Sequence, residues 1–198
     1  MFTGIIEEMG SIASARPGGL SIDASPALVG KLVVGGSIAV EGVCLTATRI
    51  EGGRIEVDVM PETLSRTTLG DLAAGSSVNL ELPATPTSFL AGHVVQGHVD
   101  GEGVVESIAE EGNSRRIVIA PPASLMTYIV EKGSVAVNGV SLTVAGVTDD
   151  SFSVAIIPHT WEATTFSRLS EGSRVNIETD VLAKYIEKRI LDTYARRP

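Results

Sequence analysis

The sequence predicts an all-β chain with short helices: two tandem barrels of about six strands each, followed by a carboxy-terminal α-helix. Three observations carry this prediction. A unit of roughly 90 residues occurs twice. Within each copy, apolar and polar residues alternate with the period of a strand. After Asp180 the apolar spacing turns helical and has no counterpart in the first copy.

The repeat is read directly from the residues. Gly36-Ser37-Ile38-Ala39-Val40-Glu41-Gly42-Val43-Cys44-Leu45-Thr46 recurs 97 residues later as Gly133-Ser134-Val135-Ala136-Val137-Asn138-Gly139-Val140-Ser141-Leu142-Thr143, with 8 of 11 positions identical. The same offset of 97 joins Pro61 to Pro158, Thr63 to Thr160, Val78-Asn79 to Val175-Asn176 and Glu81 to Glu178. Nearer the start the offset is 93, joining Gly4 to Gly97 and Gly10 to Gly103. The second copy therefore carries four extra residues, placed in the Glu110-Glu111-Gly112-Asn113 turn region.

The elements follow in order. Gly4-Ile5-Ile6 and Gly97-His98-Val99 read as the first strands of the two copies. Ser25-Pro26-Ala27-Leu28-Val29 has an N-cap followed by Pro at the first helical position, and Pro122 to Ile129 is its counterpart. Ile38-Ala39-Val40 and Leu45-Thr46-Ala47-Thr48 read as strands, and Glu51-Gly52-Gly53 turns into the next. Ile55-Glu56-Val57-Asp58-Val59 and Ser76 to Leu82 alternate apolar and polar. Pro83-Ala84-Thr85-Pro86-Thr87-Ser88 marks a linker. The expected domains are residues 1–86, residues 87–180 and a helix over 181–198. In that helix Leu182, Tyr185-Ile186, Ile190 and Thr193-Tyr194 are spaced for one face, with Asp180 as N-cap. Such a helix packs on its own barrel or joins subunits, and the sequence leaves both open.

Composition limits the function. Net charge is -9 and the pI is near 4.8, which argues against nucleic acid or an anionic membrane as partner. One cysteine, Cys44, allows no internal disulfide. No apolar run is long enough to span a bilayer, and the amino end lacks the basic and apolar regions of a signal peptide. A cytoplasmic location is expected.

Candidate chemistry is sparse. His93 and His98, five apart, could be joined with Cys44 in a metal site, but the spacing fits no tight motif, and no metal is expected. A Ser141, His98, Asp180 triad can be drawn, yet Ser141 does not sit in a Gly-x-Ser-x-Gly elbow. More informative are the differences between copies: Cys44 becomes Ser141, Glu62 becomes His159, Ile5 becomes His98 and Gly35 becomes Lys132. A kept frame with altered side chains suggests two related pockets with separate tasks.

These residues reach a family. Met1-Phe2-Thr3-Gly4-Ile5-Ile6, Val40 to Thr46, Met60-Pro61-Glu62-Thr63-Leu64, Gly92-His93-Val94-Val95-Gln96-Gly97-His98-Val99-Asp100, Val137 to Thr143 and Asn176 to Tyr185 together resemble the riboflavin synthase family over essentially the whole chain. The resemblance implies two six-stranded Greek-key barrels, a homotrimer built by the carboxy-terminal helix with sites between subunits, and an enzyme without cofactor. It implies conversion of two molecules of 6,7-dimethyl-8-ribityllumazine into riboflavin and 5-amino-6-ribitylaminouracil by four-carbon transfer. Association with lumazine synthase is a further partner it raises. A non-catalytic lumazine or flavin carrier is the alternative, and the joint presence of Cys44, His98, Lys132, Ser141 and Asp180 favours the enzyme.

Roles are implied residue by residue. His98 resembles the proton-transfer histidine, working with Thr143. Ser141 matches the second-barrel hydroxyl near the lumazine C7, and Cys44 is its first-barrel counterpart. Asp180 matches a carboxylate near the barrel junction, Lys132 a ligand for ring or ribityl oxygens, and Phe2 an aromatic covering the site. Substrate contacts are expected from Gly4, Ile5, Ile6, Ser37, Leu45 and Thr46, and from strand backbone at Asp58, Val59, Met60, Pro61, Glu62 and Thr63. The second copy supplies Gly97, Val99 and Leu142, with strand backbone at Ala155, Ile156, Ile157, Pro158, His159 and Thr160. Glu41 departs from the family's Asn or Asp, and Trp161 beside His159 is expected over the ribityl end.

Overall fold

The computed structural model describes residues 1–195, with side chains through Ile190. The first copy forms β1 (Glu8–Arg16), β2 (Gly19–Asp23), α1 (Pro26–Val29), β3 (Ser37–Val40), β4 (Val43–Glu51), β5 (Arg54–Asp58), α2 (Pro61–Arg66) and β6 (Ser77–Glu81). The second forms β7 (Gly101–Glu111), β8 (Ser114–Ala120), β9 (Ser134–Val137), β10 (Val140–Val147), β11 (Phe152–Ile156), α3 (Pro158–Ala163) and β12 (Arg174–Thr179), then α4 (Val181–Ala195). Each set of six strands closes antiparallel, in the order β1-β2-β5-β4-β3-β6 and its equivalent β7-β8-β11-β10-β9-β12. Closure leaves no open edge to pair with another chain.

Curvature comes from bulges at matched places. Register shifts fall between Ile12 and Ser14 in β1 and between Ala47 and Arg49 in β4. They recur between Val105 and Ser107 in β7 and between Val144 and Gly146 in β10. An extra residue bends one strand of a pair, which lets six short strands curl shut. Each barrel encloses its own apolar core: Ile12, Ile22, Ile38, Ile55 and Leu80 in the first; Ile117, Ile119, Phe152, Ile156 and Phe166 in the second. The four extra residues lengthen the β7–β8 hairpin by two on each strand, where Glu110 pairs with Arg115 and Glu111 with Ser114.

The barrels join through the tips of their β3–β4 and β9–β10 hairpins. Glu41-Gly42 and Asn138-Gly139 are two-residue turns with positive φ throughout, the backbone that suits the twist of a tight hairpin. Beside them lies a buried polar network. The Asn79 side-chain amide donates to the Asn138 carbonyl at 3.0 Å, and Asn176 donates to the Glu41 carbonyl at 2.8 Å. Asn79 N–H donates to the Glu41 carboxyl at 2.6 Å. Burial pushes that carboxyl up to about 8.

Two expectations are corrected. Gly4 to Ile6 and Gly97 to Val99 are not barrel strands. At φ +76 and +81, Gly4 and Gly97 turn the chain off the strand path onto the other barrel. Pro61 to Thr63 and Pro158 to Thr160 are not strand backbone but the first turns of α2 and α3. Proline offers a sheet no N–H, while its fixed φ suits a helix start. Trp161 packs beneath Arg115 of the lengthened hairpin, 4.3 Å from guanidinium carbon to ring centre.

The helix packs on its own barrel, one of the two readings the sequence left open. Asp180 caps it, taking the Leu182 N–H at 2.9 Å. Tyr128 donates to Glu187 at 2.5 Å and Lys184 pairs with Asp100 at 2.6 Å, tying α4 to its own barrel. Leu182, Tyr185, Ile186 and Ile190 nevertheless stay 51% to 65% exposed. The side chains of Thr193 and Tyr194, and residues 196–198, lie outside the described residues.

Candidate active site

Alternation along β4 sets the first pocket. Val43, Leu45 and Ala47 point into the core, so Cys44 and Thr46 lie on the outer face. The register Ala47↔Val57 brings Thr46 beside Asp58 there, and Ser37 pairs with Thr46 from β3. On β10 and β11 the same rule places Ser141, Thr143 and Ala155 on the outer face, with Ser134 opposite Thr143.

Each face is completed by the other copy. The segment before β7 crosses to the first barrel, where the Cys44 N–H donates to the Gly97 carbonyl at 2.9 Å. A Cβ on Gly97 would stand 2.5 Å from the Cys44 Cβ, so only glycine allows this approach. The amino-terminal segment crosses the opposite way, and the Ser141 N–H donates to the Gly4 carbonyl at 2.8 Å. There a Cβ on Gly4 would stand 2.6 Å from the Ser141 Cβ. Val99 packs against the first core and Ile6 against the second.

Two buried carboxylates hold these crossings. Glu81 accepts the N–H groups of Thr3 and Gly4 at 2.7 and 3.0 Å. Glu178, its repeat partner, accepts those of Gln96, Gly97 and His98 at 2.6, 2.9 and 3.0 Å. Burial raises both above the usual carboxylate range, against the pull of those hydrogen bonds. Phe2 pairs with Val95 through reciprocal backbone bonds of 2.7 and 3.1 Å. Its ring is fully buried with Ala39, Val95 and Ala136, and Cys44 packs against that cluster.

The expected residues thus divide between two faces. His98, exposed, sits with Gly97, Val99, Cys44, Leu45 and Thr46 on the first barrel. Thr143 sits with Ser141, Leu142, Gly4, Ile5 and Ile6 on the second. Met60, Pro61 and Glu62 stand exposed where β5 passes into α2, with Val59 turned inward and Thr63 half-buried. Ile157, Pro158 and His159 stand exposed at the matching place on α3, with Ile156 inward and Thr160 half-buried. Lys132 is exposed at φ +64, the left-handed backbone its counterpart Gly35 also adopts. A non-glycine residue there is uncommon.

The sequence reading missed one contact. His93 Nδ1 lies 2.7 Å from Ser141 Oγ. The pairing drawn for Ser141 and His98 is made by His93 instead. Burial lowers the His93 pKa, opposed by the Asp180 charge. The available signal was Gly92-His93 and Gly97-His98, two glycine–histidine pairs on the crossing segment. Among the described residues no three histidine, cysteine or acidic side chains come together to hold a metal.

Two cavities flank the faces at repeat-related places. One of about 560 Å³ is lined by Lys31, Val33, Gly36, Ser37 and Leu82. The other, of about 520 Å³, is lined by Tyr128, Val130, Gly133, Ser134 and Asp180, with α4 as a wall.

The lumazine binding domain matches the chain twice, over residues 3–83 and 96–180. The riboflavin synthase of Actinobacillus pleuropneumoniae is 44% identical, covering 100% of this chain and 94% of that protein. The chain belongs to the riboflavin synthase family. The Bacillus subtilis riboflavin synthase is 45% identical over 94% of this chain and 88% of its own. A solved structure of LumP complexed with riboflavin aligns with a TM-score of 0.84 at 27% identity, over 90% of this chain and 99% of that one. A second, of LumP complexed with 6,7-dimethyl-8-(1'-D-ribityl) lumazine, has a TM-score of 0.80. In the riboflavin synthase frame the two domain matches coincide with the two closed barrels.

Proposed function

We propose that this chain is a riboflavin synthase, joining two molecules of 6,7-dimethyl-8-ribityllumazine to give riboflavin and 5-amino-6-ribitylaminouracil. One observation carries the reading: two repeat-related outer faces, alike in backbone, present a thiol at Cys44 and a hydroxyl at Ser141 in the same position. A reaction between two copies of one substrate needs two similar pockets with unlike tasks, one for the donor and one for the acceptor.

The chemistry asks mainly for placement. The C7 methyl of the lumazine is acidic because its anion spreads into the ring, so a modest base removes the proton. Holding two flat rings face to face turns an encounter into a near-intramolecular step, worth up to ~7–11 kcal/mol. His98 is the proton-transfer group. Lys132, Asp58, the α2 and α3 starts and the crossing segments around Gly4 and Gly97 hold the rings and ribityl chains. Because His98 lies on the first barrel and Thr143 on the second, the working site pairs the first barrel of one subunit with the second barrel of a neighbour. The assembly is a cytoplasmic homotrimer held through the exposed face of α4; association with lumazine synthase is tested by co-sedimentation.

The test is conversion. Purified protein mixed with the lumazine is expected to lose lumazine absorbance and gain that of riboflavin. Tight binding of the lumazine without conversion would make the chain a carrier.

A further inference from the structure

We propose that His93 is a positioning residue for Ser141, fixing the rotamer and proton of the hydroxyl that the second barrel offers to substrate. The inference rests on the reading of Ser141 as a substrate-facing group. The contact joins His93 to Ser141, 48 residues further along the chain.

The geometry is built rather than incidental. His93 N–H donates to the Thr3 carbonyl at 3.2 Å, so the histidine is tied to the segment that Glu81 holds against the second barrel. Gly92 just before it has no room for a side chain: a Cβ would stand 2.0 Å from the Thr3 carbonyl and 2.9 Å from Ser141 Oγ. The chain is pressed to the limit of contact where it delivers the imidazole. His93 Nδ1 then meets Ser141 Oγ at 2.7 Å, a short and directed bond. The other ring nitrogen, Nε2, is buried with no partner among the described residues. A packing site would favour an apolar side chain, since burying a ring nitrogen unpaired is unfavourable. What the imidazole gains is the bond to Ser141. Burial disfavours the charged ring, and Nδ1 meets the Ser141 oxygen directly, so the imidazole sets the rotamer of the hydroxyl.

A double-mutant cycle tests this. Single-turnover conversion of the lumazine is measured for the native chain, His93→Ala, Ser141→Ala and the double variant, with His93→Asn as the conservative replacement. His93→Ala is expected to slow conversion about tenfold, the usual scale of one lost directed hydrogen bond. In the Ser141→Ala background the same change is expected to cost less than about twofold. His93→Asn, whose amide can reach the hydroxyl, is expected to recover most of the loss. Nitrogen-15 NMR of the His93 ring gives a readout independent of turnover, and the Nδ1 signal is expected to move on Ser141→Ala. An equal loss from His93→Ala in both backgrounds, or an unmoved Nδ1 signal, would overturn the proposal. A native chain that fails to convert lumazine would instead refute the enzymatic reading, with the NMR arm still deciding whether the pair exists.

Discussion

Gly42 and Gly139, turn glycines 97 residues apart, meet back to back where the two barrels touch. A Cβ on Gly42 would stand 2.5 Å from the Gly139 nitrogen, and Gly42 itself has φ +79. Gly42→Ala therefore meets strain and backbone collision together. It should destabilise the chain by about 2–4 kcal/mol, read from denaturant unfolding, whereas Gly52→Ala, with open space around it, should cost only the backbone strain of about 1–2 kcal/mol.

Glu41 makes stability depend on pH. Burial holds its folded pKa near 8, against 4.5 when exposed. Below the ordinary carboxylate range the group is neutral in both states and costs nothing. As pH rises toward 8 the unfolded carboxyl ionises while the folded one stays protonated, so stability falls; above about 8 the loss levels off. Glu41→Gln keeps the acceptor for the Asn79 N–H and removes the ionisation. The variant should gain on the native chain across that window, by on the order of a few kcal/mol at its upper end. A difference between the two unfolding curves that stays flat with pH would contradict this.

Glu178 places His98 by holding the backbone on both sides of Gly97. Glu178→Gln offers one acceptor oxygen where three N–H groups now share two. It should lower the unfolding midpoint and reduce turnover at least tenfold, since hydrogen bonds to a charged group are worth about 1.5–3 kcal/mol each. Thermal unfolding beside single-turnover conversion checks both effects.

Leu182 and Ile190 lie on the exposed face of α4, at 62% and 51% exposure. Changing both to Asp should leave the barrels folded by circular dichroism and break the assembly into monomers by sedimentation. A variant that sediments like the native chain would remove α4 from the subunit contact.

The barrels were legible because duplication prints each constraint twice. Val40-Glu41-Gly42-Val43 and Val137-Asn138-Gly139-Val140 each spell a hairpin, and the strand period on either side fixes which residues face the core. The crossing of segments was not legible. Gly4 and Gly97 repeat like strand residues, and only their positive φ and the carboxylates of Glu81 and Glu178 show the chain leaving its own barrel. His93 is silent in the sequence for a different reason: its meaning depends on Ser141, 48 residues away in the same copy. Pro61 and Pro158 carried a helix-start signal that was outweighed by the alternating strand just before each.

The most direct measurement is complementation between two damaged chains. His98→Ala damages the face on the first barrel and Ser141→Ala the face on the second. Each variant alone should convert the lumazine slowly, His98→Ala by ~10²–10⁴-fold. If a working site joins the first barrel of one subunit to the second barrel of another, trimers co-assembled from the two variants contain sites with both faces intact, and riboflavin formation should return. If every site is built within one chain, each mixed assembly still carries a lesion at every site, and activity no higher than that of the separate variants would contradict the account.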